Sequence, residues 1–338
     1  MKDLKKTIFN FLIFILLIVV TFKYVLRNQS LSKVFEIISN VDIKYVIIGI
    51  FCMIGYFMFE CVNIKNVLNV LGKKVPLRRI YKYVSIGFLF SGITPAASGG
   101  QPMQIYFMHK DDIPVSYSTL ALLVELISFQ IMVLLFGILG AIVNYELLNG
   151  ISVIFYIVGT TISLIALTVM LVCFLKPNLA RKVVNIFIKL LKLFRFKKIE
   201  TLKEKADLLL ESYSTSLKLL KKDKSIFIKS LILVFCQMAL YYSVPYFVCK
   251  AFNINTYSIL KIITMQGLLF CSVSSIPMPG AVGVSEGLFL SIYNNIFGKE
   301  LLGSATLLNR FINFYLFIFV GLLVTIFNII KIKKSKDK

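Results

Sequence analysis

The 338-residue sequence holds no tryptophan, a single histidine and few charges, with Asp, Glu, Lys and Arg at 16%. Soluble globular chains are about a quarter charged, so a soluble enzyme is excluded. The one histidine, His109, stands beside Lys110, Asp111 and Asp112; alone it makes neither a catalytic triad nor a histidine metal site. Without tryptophan, interfacial anchoring falls to the 16 tyrosines. The six cysteines form no CxxC pair and lie mostly inside apolar runs, which reads as small packed hydrophobes rather than disulfides or metal ligands.

What is present is apolar. Hydrophobic residues make up 58% of the chain and the mean hydropathy is +0.85. They fall in runs of about 20 residues, the length that crosses a bilayer as helix. The expected fold is an all-α integral membrane protein, one polytopic domain over 1–338. Six full spans are predicted at 8–26, 43–62, 117–143, 151–175, 226–248 and 302–330. The charged start, Met1 to Lys6, resembles a signal peptide. Its apolar run is too long and no small-residue cleavage site follows, so a retained span is expected. Two further hydrophobic hairpins, 83–108 and 259–297, are each broken by Pro and Gly. The short arms of the first suit a re-entrant segment; those of the second are longer and are expected nearly to cross.

The net charge of +22 invites a nucleic-acid reading, but most of the basic residues cluster on one side of this scheme. Lys65, Lys73, Lys74, Arg78, Arg79 and Lys82 follow the second span, 176–224 is long and basic, and the tail carries Lys331, Lys333, Lys334 and Lys336. The loop 144–150 has no Lys or Arg. The positive-inside rule then puts both termini in the cytoplasm of a multi-pass cell-membrane protein. Within 176–224, Asn185, Lys189, Lys192 and Arg195 fall on one helical stripe of an otherwise apolar stretch, as in a helix lying among headgroups; 201–222 reads as a second, charged amphipathic helix. With these orientations, the fifth span, second hairpin and sixth span repeat the second span, first hairpin and third span upside down. Inverted repeats that meet near the midplane are a transporter architecture.

The breaks read Thr94-Pro95-Ala96-Ala97-Ser98-Gly99-Gly100-Gln101-Pro102 and Ser275-Ile276-Pro277-Met278-Pro279-Gly280-Ala281-Val282-Gly283-Val284-Ser285-Glu286. Lipid cannot hydrogen-bond a peptide group, so a broken helix at membrane depth must be buried in protein or line a wet cavity. Pro95 ends one helix and Pro102 suits the first turn of the next. The amides of Ser98, Gly99, Gly100 and Gln101 are then expected at a helix N-terminus, where an anion such as phosphate is favoured. Thr94, Ser98 and Gln101 add side-chain donors. No Gly-Lys-Ser/Thr follows, so this is not a nucleotide P-loop. In the second break, Pro279, Gly280 and Gly283 open the backbone, Ser285 caps the next helix and Glu286 enters its first turn.

Three ionisable residues, Glu125, Glu286 and Arg310, lie well inside spans or hairpins. Each costs at least about 2.5–3.5 kcal/mol if exposed to lipid at the bilayer centre, so all should face the interior. Arg310 suits either a carboxylate or a headgroup phosphate. Three roles are open to Glu125: proton carrier, cation ligand, or partner of Arg310. Glu60 is read as snorkelling at a cytoplasmic end. Asn63, Gln130, Gln237, Gln266 and Asn313 are expected to hydrogen-bond between helices.

The two motifs, with Glu125 between them, resemble the lysylphosphatidylglycerol synthase transmembrane region, a flippase-like family that includes the membrane half of the bacterial multiple peptide resistance factor. The likeness runs from about residue 8 to 330, with Leu126 and Ala281 departing from the family pattern. It implies a lipid translocase for aminoacylated phosphatidylglycerol or a related anionic phospholipid, contributing to membrane charge and resistance to cationic antimicrobial peptides. On this reading Thr94, Ser98, Gly99, Gly100, Gln101, Pro279, Gly280, Gly283, Glu286 and Arg310 bind the headgroup and Glu125 couples the step. No cofactor is implied. The family label also carries phosphatidylglycerol lysyltransferase activity, with lysyl-tRNA as donor. No soluble acyl-transfer domain is expected here, which leaves synthesis to a separate synthase protein. A secondary transporter of a small solute or ion is the remaining alternative.

Overall fold

The computed structural model describes residues 21, 23, 25, 31–148, 150–176, 199–274, 276 and 278–336. The first expected span, 8–26, lies outside these apart from Thr21, Lys23 and Val25; the stripe at 185–195 and positions 275 and 277 also lie outside. Among the described residues the regular structure is entirely helical. In chain order the helices are α1 Leu31–Ser39, α2 Ile43–Val70, α3 Leu77–Ile93, α4 Gly100–Lys110, α5 Val115–Val143, α6 Gly150–Leu175, α7 Ile199–Lys222, α8 Ser225–Ala251, α9 Ile259–Val273, α10 Val284–Ile292, α11 Asn294–Arg310 and α12 Leu316–Lys336.

Local chemistry sets their ends. Asp42 opens α2 by accepting from the Lys44 amide at 3.0 Å, and Ser258 opens α9 by accepting from Lys261 at 3.3 Å. Pro76 and Pro114 precede α3 and α5 in extended backbone. Among the described residues, five helical stretches are long and apolar enough to cross a membrane: Ile43–Val70, Val115–Val143, Ser152–Leu175, Ser225–Ala251 and Asn294–Lys331. They coincide with the second to sixth expected spans. Large apolar side chains stay exposed on them, including Phe51, Ile154, Ile165, Ile232, Phe319 and Phe327, which suits lipid and would be costly in water. The last stretch is continued through a π-helical turn, Phe311–Tyr315.

Both hairpins are present, with a correction to their proportions. The arms of the first, α3 and α4, have 17 and 11 residues; those of the second, α9 and α10, have 15 and 9. At 1.5 Å per residue the longest arm reaches about 26 Å, short of a hydrocarbon core of about 30 Å. The second hairpin is therefore the shorter one. Its return arm stops at Tyr293, where the amide bonds back to Phe289, and the chain then starts α11, bent at Gly298 with φ +62°.

The helices pack as two interlocked halves. α2 lies along α8, with the Asp42 amide on the Ala251 carbonyl at 3.0 Å, and Met53 and Phe57 of the one and Met238 and Tyr242 of the other are fully buried. The arm α3 packs on α12, and its counterpart α9 packs on α5. Each hairpin thus leans on the last long helix of the other half. The approach is close enough to touch backbone. A Cβ on Gly140 of α5 would stand 2.8 Å from the Leu268 Cβ, and one on Gly321 of α12 would stand 2.6 Å from the Ser85 carbonyl oxygen.

Away from the centre, the expected amphipathic helix at 201–222 is α7. It seats Tyr213, Leu217 and Leu220 inward, one face at helical spacing, while Ser212 hydrogen-bonds Ser116 of α5 at 2.9 Å. The mouth of the first hairpin is latched. Lys82 and Tyr83 of α3 both donate to the Asp111 carboxylate at the end of α4. Burial pushes Asp111 up, but its hydrogen bonds from Lys82 and Tyr83 and the charges of Lys82 and Arg79 outweigh that and hold it below the usual carboxylate range. A depressed carboxylate stabilises the fold above its unfolded value of about 3.9, and the contribution fades as pH falls through the lower folded value. Asp111→Asn is therefore expected to melt below the parent at pH 7, with the gap closing under about pH 4. A gap unchanged across that range would rule out the latch.

Candidate functional site

Both breaks follow one backbone path. Thr94 leaves α3 at φ −116°, ψ 146°, and Met278 leaves the second arm at φ −115°, ψ 144°. A proline follows each, then a residue in the left-handed region: Ala96 at φ 50° and Gly280 at φ 58°, with Ala97 at 54° and Ala281 at 51° next. Three of these four are alanines, for which that conformation is strained. Such strain persists only where its surroundings over-determine it, and it collects at functional sites. Pro95–Ala97 and Pro279–Ala281 each close one 3₁₀ turn and pack against one another. Gly280 lies under the Phe314 ring and the Gly92 carbonyl.

Beyond the turns the two motifs diverge. In the first, the Thr94 hydroxyl donates to the Phe90 carbonyl at 2.5 Å and accepts from the Gly99 amide at 2.9 Å. The Ser98 amide donates to the Pro95 carbonyl at 3.1 Å. Two of the four amides expected to cradle an anion are thus spent inside the turn. In the second, Gly283 at φ 90° starts α10. The Glu286 carboxylate accepts from the Gly283 amide at 2.7 Å and from the Ser285 hydroxyl at 3.1 Å. Gly283, not Ser285, is therefore the cap position, with Glu286 supplying the capping oxygen.

Arg310, at the end of α11, reaches back into this turn. Its Nε donates to Glu286 Oε1 at 2.7 Å and its Nη2 to the Gly280 carbonyl at 3.2 Å and to the Ser285 hydroxyl. The guanidinium also lies 5.1 Å from the centre of the Phe314 ring. The pair is nearly closed off, with Glu286 2% and Arg310 8% exposed. Arg310 thus partners Glu286, not Glu125. It is committed to a carboxylate, a carbonyl and a hydroxyl before any headgroup arrives.

A cavity of about 500 Å³ opens beside the two turns. Of the sequence-predicted site residues, Ser98, Gln101, Glu125, Gly280, Glu286 and Arg310 line it. Thr94, Gly99, Gly100, Pro279 and Gly283 stand behind, shaping the turns. A Cβ on Gly100 would collide with the Ser91 side chain, so the close approach there serves helix packing. The wall also includes Gln130, Gln266 and Asn313; Gln266 accepts from the Tyr293 hydroxyl at 3.2 Å.

Sequence reasoning set aside one lining residue, Glu60. The expected span ended at 62 and left Glu60 at a water-facing end. The helix continues to Val70, which carries Glu60 well into the bundle. It lines the cavity, close enough to Glu125 for their charges to interact, and Gln104 and Gln237 turn towards its carboxylate. The signal was the apolar stripe at helical spacing that runs on through Cys61, Ile64, Val67 and Leu68, all buried.

Residues 8–321 match the sequence profile of the family described as the lysylphosphatidylglycerol synthase TM region. The chain is also 21% identical over 328 residues to a protein of Archaeoglobus fulgidus described as a UPF0104 membrane protein, a match covering 94% of this chain and 96% of the relative.

Proposed function

The chain belongs to the lysylphosphatidylglycerol synthase TM-region family, and we propose that it is a membrane lipid translocase that carries the headgroup of aminoacylated phosphatidylglycerol, or a related phospholipid, from one leaflet to the other. The observation that carries this reading is the meeting of two strained, like-folded helix breaks beside one cavity, whose largely apolar wall also presents Glu125, Glu286 and Arg310. Irregular backbone at membrane depth belongs where it lines a cavity, and paired breaks in corresponding halves mark a transport site. The headgroup occupies the cavity while the acyl chains stay in the bilayer. The repeats interlock through α3 on α12 and α9 on α5, so rocking one against the other exposes the cavity to alternate sides. Moving aminoacylated lipid outward would raise the positive charge of the outer leaflet and weaken attraction of cationic antimicrobial peptides. Both termini are placed in the cytoplasm on this scheme.

The test is translocation by the purified chain in proteoliposomes carrying lysyl-phosphatidylglycerol, with leaflet-resolved chemical labelling of its amines. The parent is expected to equilibrate the lipid across leaflets, and Glu125→Gln to slow it by about tenfold or more, as for loss of one charged contact in a buried site. Equal rates with and without protein would sink the reading. The family description also names a synthase. Incubating the same preparation with lysyl-tRNA and phosphatidylglycerol distinguishes the two, since new lysyl-lipid marks a lysyltransferase and redistribution without synthesis marks a translocase.

A further inference from the structure

We infer that the contact between the two helix breaks is an apolar gate to the cavity, with Phe314 as its wedge. The inference rests on reading the cavity as a translocation site, and it names the part of the wall that must open for a guest to pass.

Phe314 stands in the π-helical turn Phe311–Tyr315, a geometry that is rare and often found at functional sites. Its ring fills a notch made by two glycines, one from each half. A Cβ on Gly92 of α3 would stand 3.2 Å from the ring and collide with the Ile318 side chain. A Cβ on Gly280 would collide with the ring itself and stand 3.2 Å from the Gly92 carbonyl oxygen. Behind the ring, Leu89, Val282 and Ile318 pack with it as a small buried cluster apart from the main core. Phe314 lines the cavity and those three do not, so the ring divides a wall that a guest touches from a cluster that it cannot reach.

The packing fixes which parts move together. α3 is docked on α12 and α9 on α5, with backbone close against the helix at Gly321 and at Gly140. Arg310, just before the π-turn, is tied to the second break through Gly280, Ser285 and Glu286. Ile318, just after it, packs with Leu89 of α3. The π-turn is thus the joint between one body that holds the second break and another that holds α3 and α12. Relative motion of the two is taken up where the breaks meet, and it unseats the ring from one glycine or the other.

Little resists that motion. Among the described residues, no hydrogen bond joins the two breaks: Thr94, Ser98 and Gly99 bond within the first, and Ala281, Val282 and Gly283 within the second. Parting them leaves no peptide group without its partner, the condition that lipid imposes on any opening at membrane depth. The apolar contact given up is replaced by acyl chain or guest, and lipid tails are as apolar as leucine.

The gate is tested on the full chain in proteoliposomes with two single-cysteine forms. One keeps Cys61 alone of the six native cysteines; the other replaces all six and adds Val282→Cys. Both positions are 0% exposed, so a static structure protects both from a charged, membrane-impermeant methanethiosulfonate. With an open state populated at about 0.1–10%, the Val282→Cys thiol is expected to react about tenfold or more faster than Cys61, which only wider unfolding frees. Phe314→Ala is expected to raise the Val282→Cys rate by about tenfold more and to leave Cys61 unchanged. Adding Leu89→Cys and bridging the two thiols with a short bis-methanethiosulfonate is expected to stop translocation of lysyl-phosphatidylglycerol, and reduction to restore it. The first and last comparisons need no change at Phe314. The inference is overturned if Val282→Cys reacts no faster than Cys61, if Phe314→Ala speeds both alike, as loss of a brace would, or if the bridged protein translocates at the unbridged rate. That last result leaves the translocase reading standing. Gated reactivity of Val282→Cys with no translocation in any form does the reverse.

Discussion

Arg310→Ala is expected to abolish lipid translocation and to lower the melting temperature of the purified protein more than any other single polar substitution in the cavity wall. The substitution strips a buried carboxylate of its counter-ion. Glu286 is 2% exposed and cannot turn to water, and removing one member of a buried pair costs about 3–5 kcal/mol because the other charge stays behind. The same change orphans the Gly280 carbonyl, which receives the guanidinium at 3.2 Å. That carbonyl belongs to the turn whose φ of 58° must be held in place by its surroundings. Arg310→Lys is expected to recover part of the stability and little of the transport. One ammonium on a flexible stem cannot serve a carboxylate, a carbonyl and a hydroxyl in fixed directions. Arg310→Met combined with Glu286→Gln separates the two roles. With no charge left uncompensated, the double variant should melt near the parent, since an apolar or neutral replacement of a whole buried pair is often tolerated. It should still fail to translocate. A double variant that moves lipid at the parental rate would reduce the pair to a structural brace.

The features legible in the sequence are those fixed by solvent and by chain stiffness. Spans two to six follow from run length, and both breaks follow from proline and glycine, because lipid leaves no other place for such residues. The symmetry of the breaks was only partly legible. Thr94-Pro95-Ala96-Ala97 and Met278-Pro279-Gly280-Ala281 share little beyond a proline and a final alanine, yet their backbones coincide within a few degrees at Thr94 and Met278. Nothing in the residue types Ala96, Ala97 and Ala281 announces a positive φ. Side-chain pairing was the least legible layer. Glu125, Glu286 and Arg310 were each placed inside the bundle, but the choice of Glu286 as the partner depends on α11 ending beside α10, a tertiary fact. Glu60 was misread for a local reason: an end drawn two turns early turned a cavity carboxylate into a snorkelling one.

Gly140→Val and Gly321→Val are each expected to destabilise the protein by about 1–3 kcal/mol or more, the cost of overpacking a filled interior. The upper part of that range follows from what the new side chain meets. At Gly140 even a Cβ would reach the Thr264 carbonyl and stand 2.9 Å from the Leu268 amide nitrogen, and at Gly321 it would stand 2.6 Å from the Ser85 carbonyl oxygen. Backbone cannot rotate out of the way as a side chain can, so the helices must separate. The two sites lie on different helix pairs, α5 with α9 and α12 with α3, with no shared partner, and their effects should add. Separation also carries a functional cost distinct from stability. Each contact docks the long arm of one hairpin onto the other half, so widening either one shifts a helix break relative to its twin. Both single variants should therefore lose translocation even at temperatures where they remain folded, and by similar factors, because the two contacts hold corresponding arms. Thermal unfolding and proteoliposome transport on the same preparations check this. Parental melting for both variants would show that the arms do not approach so closely, and loss of transport in one variant alone would show that the two hairpins do not act as equivalent halves.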